Sequence, residues 1–170
     1  MKRFILLISI ITSMLVTHNS LAEGYWGLSS SVVNVDNTAY GGNAINIGVF
    51  LGVDVSEIGS NPLAIEADIN TTLIKGTGTV SSVGFKWSTQ TTALYAAMRT
   101  GNDDYLKVKL GFHNTKTTVN LSGSAGSGSG NGLAYGIGFK FSDYEIGYTV
   151  LKGEKSSDAD ISLISLGFHF

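Results

Sequence analysis

The sequence lacks cysteine altogether, contains a single proline and is poor in charge. Only 14% of its 170 residues are charged, whereas glycine occurs 22 times. The missing cysteines exclude a disulfide-stapled fold and a thiolate metal site, and low charge with abundant glycine argues against a coiled coil or a disordered tail. The formal net charge of −2 supplies no basic footprint, so no nucleic-acid partner is expected. The length suits one domain.

The sequence also has no apolar run that could span a membrane as a helix. The run at residues 4–16 covers only about 13 residues, whereas about 20 are needed. Lys2 and Arg3 precede it, and Ser20 and Ala22 supply small residues after it, which is the pattern of a secretory signal. We predict a cleaved signal peptide over residues 1–22 and a mature domain over 23–170. Nine basic residues then remain against 13 acidic ones, a net charge of −4.

Between its turn signals the mature region alternates apolar and small or polar residues with the period of a β-strand. The alternation is clearest over residues 133–141. The apolar face of this strand carries Leu133, Tyr135, Ile137, Phe139 and Phe141, and the opposite face carries Ala134, Gly136, Gly138 and Lys140. Ser142 and Asp143 form a two-residue turn. The resulting register places Phe141 opposite Tyr144 and Lys140 opposite Glu145, and predicts an ion pair between the last two.

The same alternation recurs and predicts eight strands, of which the first, at about residues 25–35, has the weakest pattern. Short connections are expected near residues 57–62, 100–104 and 142–143. Longer polar connections are expected near 36–43, 76–83, 117–132 and 153–160. Residues 122–132 are almost pure glycine and serine. They lack the lysine and the following helix of a phosphate-binding loop, so we predict a flexible surface loop there.

The composition of the two strand faces distinguishes a membrane barrel from a soluble β-sandwich. The non-apolar face carries mostly Gly, Ala, Ser and Thr, which suits the crowded interior of a narrow barrel. The apolar face carries aromatic residues near the turns, as an interfacial girdle does: Phe139, Phe141, Tyr144, Phe168 and Phe170. Because lipid leaves no backbone group unpaired, we predict an all-β fold, an eight-stranded antiparallel up-and-down transmembrane β-barrel.

The mature region resembles the eight-stranded outer-membrane barrels of the OmpA/OmpX type. The resemblance lies in the terminal Ser-Leu-Gly-Phe-His-Phe at 165–170, the strand at 132–141, and the Tyr-Glu-Ile-Gly-Tyr segment at 144–148. It implies an integral outer-membrane protein in contact with lipid and lipopolysaccharide. It also implies that the C-terminal strand is the signal read by the barrel-assembly machinery, through alternate residues Ile164, Leu166, Phe168 and Phe170.

The predicted interior contains four acidic and four basic residues, which are costly in a narrow tube unless they pair. They are Asp54, Glu66, Asp68, Glu145, Arg99, Lys107, Lys109 and Lys140. One interpretation is a structural salt-bridge network that fills the lumen. The other is a narrow conduction path in which the pairs exchange. An eight-stranded barrel is only wide enough for side chains, which favours the first.

The remaining candidate residues point to no reaction. His113 and His169 lie on distant strands and are expected to be hydrogen-bonded lumen residues. Neither histidine is followed two positions later by a serine, as in the His-x-Ser arrangement of lipid A deacylases. Asp158 and Asp160 are expected to be solvated, with divalent ions that bridge lipopolysaccharide as the alternative. We therefore predict no enzyme, no metal and no cofactor. The expected role is structural or surface interaction, with a small diffusion pore as the alternative.

Overall fold

The computed structural model describes residues 24–101, 103–121, 124–153 and 159–170. The predicted signal peptide and Asp158 lie outside the described residues. The strands are β1 (Gly24–Val35), β2 (Ala44–Ile58), β3 (Asn61–Ile74), β4 (Gly76–Val80), β5 (Val83–Thr100), β6 (Tyr105–Leu121), β7 (Ser124–Phe141), β8 (Tyr144–Leu151) and β9 (Ile161–His169). The described residues contain no apolar helix of membrane-spanning length.

The strands close into a ring of eight, which confirms the predicted barrel. Strands that follow one another in the ring pair antiparallel, β3 pairs with β5, and the ring closes through the pairing of β1 with β9. β4 continues β3 beyond Lys75 along the same neighbour, β5. The register changes there, from Thr71 opposite Gln90 to Gly76 opposite Trp87. β3 and β4 thus form one interrupted arm of a hairpin, and the ring keeps eight members.

The two ends of the barrel differ. The ends of β1 and β9 at Gly24 and His169 share one rim with the short turns between β2 and β3, β5 and β6, and β7 and β8. We call this rim the turn end and the opposite rim the loop end. At the turn end the register predicted from Ser142 and Asp143 is confirmed, because Phe141 lies opposite Tyr144.

Two of the predicted long connections at the loop end are wrong, because they form strands. Residues 76–83 form β4, the start of β5 and a tight turn in which Ser81 and Ser82 both have positive φ. Most of the predicted Gly/Ser loop belongs to β7, whose residues 124–132 pair with 113–121 of β6. The ladder of backbone hydrogen bonds needs no side chain. A threonine-rich partner strand therefore holds a glycine-rich one that has little strand propensity of its own.

Side chains alternate between lipid and lumen along every strand. Large apolar residues such as Leu110, Phe112 and Ile146 point outward and are more than half exposed, at 61%, 69% and 61%. The inward positions beside them are small: a Cβ at Gly111 would lie 1.9 Å from the carbonyl oxygen of Leu94. The apolar belt therefore faces the bilayer, and the interior has space for only a few long side chains.

Gly111 and Gly128 give a matched test of this packing. A methyl group at Gly111 meets backbone atoms of β5, whereas one at Gly128 meets nothing within 4 Å. We expect Gly111→Ala to lower the free energy of unfolding by about 1–3 kcal/mol and Gly128→Ala to leave it within about 1 kcal/mol of wild type. Urea unfolding from lipid vesicles, followed by tryptophan fluorescence, measures both. Equal effects of the two substitutions would contradict the described interior.

Candidate functional site: the filled lumen

In the half of the lumen nearer the turn end, a buried lysine contacts two carboxylates from opposite sides of the barrel. Lys107 on β6 places its Nζ 2.7 Å from Glu66 Oε2 on β3 and 2.7 Å from Glu145 Oε1 on β8. Lys107 and Glu66 are each 1% exposed. Neither β3 nor β8 is a neighbour of β6 in the ring, so these contacts cross the lumen. Burial at this depth is tolerated because each charge is paired and hydrogen-bonded.

Further pairs extend this centre in both directions. Lys109 Nζ lies 3.5 Å from Glu66 Oε1 and 3.8 Å from Asp68 Oδ2. Nearer the turn end, the Arg99 guanidinium donates to both carboxylate oxygens of Asp54 and lies over the rings of two tyrosines. Seven of the eight predicted lumen charges therefore meet in ion pairs. They are Asp54, Glu66, Asp68, Arg99, Lys107, Lys109 and Glu145.

Lys140 is the exception, and the predicted Lys140–Glu145 ion pair is wrong. The two residues are register partners, but the Glu145 carboxylate contacts Lys107 and His169. Lys140 instead donates to the carbonyl oxygen of Asp103, at 3.0 Å. An ion pair is stronger in the dry lumen than at its wet rim, and a lysine near the rim reaches water with its flexible stem. The buried partner therefore takes the carboxylate.

The polar network includes residues that charge patterns do not reveal. Tyr25 donates its hydroxyl to Glu66 Oε2 at 3.1 Å, and His169 Nε2 lies 3.0 Å from Glu145 Oε2. His113 is not part of this network and lies closer to the loop end. Its ring nitrogens lie 3.0 Å from Thr115 Oγ1 and 3.0 Å from the carbonyl oxygen of Lys152. Both histidines thus have hydrogen-bond partners on the lumen wall.

The half of the lumen nearer the loop end contains an apolar cluster that the sequence analysis did not predict. Its centre is Trp87, which is fully buried and donates Nε1–H to the carbonyl oxygens of Gly42 and Thr77, at 3.2 and 3.1 Å. Around it pack Val33, Val35, Phe85, Leu151, Ile161 and Leu163. A signal was present in the sequence, because Ile161 and Leu163 share the inward phase of His169. Along the barrel axis the ionic network therefore lies nearer the turn end and this apolar cluster nearer the loop end.

The space left between these levels is small. A cavity of about 30 Å³ lies among Ser29, Ser31, Asn70 and Thr91, next to the ionic network. Each internal water needs roughly 10–15 Å³ by this measure, so the cavity accommodates about two waters. A much larger cavity, of about 520 Å³, lies at the loop end. The lumen is therefore filled by side chains at its centre and open at its mouth.

The loop-end rim carries an exposed ion pair between Lys152 and Asp160. The hydrogen bond from Lys152 holds the pKa of the Asp160 carboxyl below its usual value, and Asp160 in turn raises the pKa of Lys152. Asp160 also accepts a hydrogen bond from the amide of Gly153, at 3.3 Å. Within the described ranges no group of three or more histidine or acidic residues is arranged to hold a metal ion.

The family model described as "Outer membrane protein beta-barrel domain" matches residues 4–170. The chain belongs to this family. It is therefore an integral protein of the outer membrane, as the alternation and the terminal aromatic residues predict. No curated protein sequence matches the chain.

Solved structures share the barrel fold at low sequence identity. OprG of Pseudomonas aeruginosa superimposes with a TM-score of 0.59 at 10% identity, over 90% of this chain and 97% of OprG. Neisserial surface protein A gives 0.58 at 14% identity, over 88% and 98%. The Yersinia pestis attachment invasion locus protein Ail, solved with the heparin analogue sucrose octasulfate, gives 0.55 at 18% identity, over 90% and 100%. These outer-membrane barrels establish the fold of this family member.

Lys107 and Lys140 give a matched test of the ionic network. Lys107→Met leaves the buried carboxylates of Glu66 and Glu145 without their shared cation, so we expect a loss of about 3–5 kcal/mol in the free energy of unfolding. Lys140→Met removes a contact at the wet rim and is expected to cost less than about 1 kcal/mol. Urea unfolding in lipid vesicles measures both. A loss at Lys107 no larger than that at Lys140 would show that the network does not stabilise the barrel.

Proposed function

We propose that this family member is a sealed outer-membrane barrel with a structural and surface-interaction role, rather than a pore or an enzyme. The observation that carries the proposal is the filled lumen. A buried ionic network centred on Lys107 and an apolar cluster centred on Trp87 occupy successive levels of a tube that is only as wide as its side chains. Interactions with partners are therefore expected at the apolar belt and at the loop end.

The biogenesis proposed for the chain follows from its two ends. Residues 1–22 are removed after export, and β9 engages the barrel-assembly machinery through Ile164, Leu166, Phe168 and Phe170. In the folded barrel Phe170 stacks on Trp26, with ring centroids 4.3 Å apart, and donates its amide to the carbonyl oxygen of Trp26 at 3.0 Å. This contact between β1 and the C-terminal residue forms when the ring closes. The terminal aromatic residue is therefore available for recognition until closure.

The alternative, a small diffusion pore, is tested by recording from planar bilayers. We expect the purified wild-type barrel to show no steady unitary conductance, because salt bridges and the apolar cluster fill the mid-lumen around a cavity of about 30 Å³. Steady unitary steps from the wild type that vanish in Arg99→Gln or Glu145→Gln would overturn the sealed barrel and establish the pore. Urea unfolding of each variant verifies that it is folded.

The absence of an enzymatic role is supported by the partners of the two histidines. His113 contacts a threonine hydroxyl and a backbone carbonyl, and His169 contacts Glu145. A serine nucleophile is not within hydrogen-bond reach of either ring in the part of the chain that the structure describes. Lipid A that keeps its composition in a strain overproducing the protein is the expected result. A change in acylation that depends on His113 or His169 would contradict it.

Lipopolysaccharide is the proposed partner of one side of the barrel wall, with the loop end facing the cell exterior. Lys75, Lys86 and Lys116 are exposed on the neighbouring arms β3–β4, β5 and β6, towards the loop end from the apolar belt. None of the three forms an ion pair with another described residue. The sequence has no acidic residue between Asp68 and Asp103 or between Asp104 and Asp143. The wall therefore offers unopposed cations to phosphate groups.

A polyanion is also the ligand named for one structural neighbour, since Ail was solved with sucrose octasulfate. In this chain the face formed by Lys75, Lys86 and Lys116 is the surface suited to anionic groups. The other exposed cation discussed above, Lys152, is paired with Asp160. The proposal therefore assigns anion binding to the outer wall and not to the mouth of the barrel.

The lysine face is tested by comparing stability in two lipid compositions. Vesicles that contain lipopolysaccharide are expected to stabilise the wild type relative to vesicles of uncharged phospholipid, by about 1 kcal/mol for each lysine. The triple variant Lys75→Gln, Lys86→Gln, Lys116→Gln should lose most of this difference. Lys140→Gln, at the opposite end of the barrel, should retain it. The same difference in both variants would remove the lysine face from the proposal.

A further inference from the structure

The mouth of the barrel contains a cavity that the sealed lumen does not explain. It has a volume of about 520 Å³ and lies between the extended β6–β7 hairpin and the rim formed by β1, β8 and β9. Small-molecule sites in proteins commonly have volumes of roughly 300–1,000 Å³. His113 and Thr115, hydrogen-bonded to each other at 3.0 Å, line it on the lumen side. The cavity is thus closed below and reached from the loop end.

The described walls of the cavity have two different chemical characters. On one side lie the aliphatic and aromatic side chains of Val35, Tyr40, Leu151 and Ile161. Tyr40 is held there by edge-on contacts with Phe85 and Trp87, each with ring centroids 5.4 Å apart. On the other side lie residues 126–130 of β7, a strand of alternating glycine and serine. None of the described lining residues carries a charged side chain.

Three glycines on the β7 wall are not required by the packing of the described residues. A Cβ at Gly126, Gly128 or Gly130 would meet nothing within 4 Å, whereas one at Gly132 would lie 1.8 Å from the carbonyl oxygen of Lys152. Glycine weakens a strand, and within one it often marks a place where a ligand or another backbone approaches closely. The space that these glycines leave open is the cavity.

The backbone of this wall is also available for hydrogen bonds. β8 pairs with β7 only over residues 134–141, and the last contact above that ladder is the amide of Lys152 with the carbonyl oxygen of Leu133, at 2.8 Å. No described strand pairs with the same edge of β7 over residues 124–132. The hydroxyl of Thr117, which shares the inward phase of His113 and Thr115 on β6, lies on this side as well. A ligand with hydroxyl groups would find both donors and acceptors here.

We propose that the mouth cavity is a binding site for an uncharged molecule that combines an apolar ring with a hydroxyl-bearing ring, such as an aryl glycoside. The apolar ring packs against Leu151, Ile161 and Tyr40, and the hydroxyl-bearing ring lies against the bare backbone of Gly126–Gly130. An ion is disfavoured, because the described lining residues carry no charge that could pair with it. The apolar wall of this site is the loop-end surface of the cluster that seals the lumen, and the site is separate from the lysine face.

The test uses the full barrel in lipid nanodiscs with ¹³C-labelled methyl groups and two probes. The first probe is phenyl β-D-glucoside, and the second is phenyl β-D-glucuronide, which differs by a carboxylate. We expect saturable shifts of the Ile161 and Leu151 methyl signals with the glucoside, with a dissociation constant in the millimolar range or tighter. The glucuronide is expected to bind at least about tenfold more weakly. Ile164 on the same strand faces lipid and reports partitioning of a probe into the bilayer.

Two variants on β7 make the result specific to the cavity. Gly128→Leu fills open space and should weaken glucoside binding at least about tenfold, while the methyl spectrum outside the cavity stays that of the folded barrel. Ala125→Leu, at an exposed residue of the same strand that does not line the cavity, should bind as the wild type does. The proposal is overturned by shifts confined to Ile164, by equal binding in Gly128→Leu, or by no saturable shift at Ile161 and Leu151.

Discussion

Closure of the sheet is the constraint on which the rest of this structure depends. In the bilayer every backbone N–H and C=O must find a partner within the protein, and the pairing of the first strand, β1, with the last, β9, supplies the closing set of these bonds. β4 shows how firmly closure is imposed. The chain breaks its register after Thr71, yet the interrupted arm stays on the same neighbour, so this edge of β5 keeps a partner beyond the apolar belt as well.

Closure with eight strands also fixes the chemistry of the interior. The tube is too narrow for water to solvate a charge fully, so each long polar side chain must reach a partner across the lumen. Lys107 meets this requirement by bridging β3 and β8, and the glycines opposite such side chains make room for them. Gly138 illustrates this, since a Cβ there would lie 2.9 Å from the Glu145 carboxylate. Small residues and buried ion pairs are therefore two parts of one packing solution.

The sequence predicted the closed barrel and the inward charges because alternation with period two reports which face a residue occupies. It could not predict partners across the lumen, since these depend on the stagger of strands that are distant in the chain. Lys140 shows this: its register partner was correct, but Glu145 is taken by Lys107. The apolar cluster around Trp87 was missed because every inward position was treated as polar or small. The length of the β6–β7 hairpin was missed because Gly126–Gly132 has no strand propensity of its own.

That hairpin also shows where closure ceases to apply. On the loop-end side of Ala134, β6 is the one described strand that pairs with β7, and the other edge of β7 lies next to the mouth cavity. Such an edge is tolerated only where water, or another bonding partner, can satisfy the backbone. The same strand is thus fully paired where the barrel crosses the bilayer and half paired beyond it. Residues 134–141 of β7 are fixed between β6 and β8. Because this part of the strand is fixed, residues 124–132 can offer the backbone groups of one edge to water or to a ligand at the loop end.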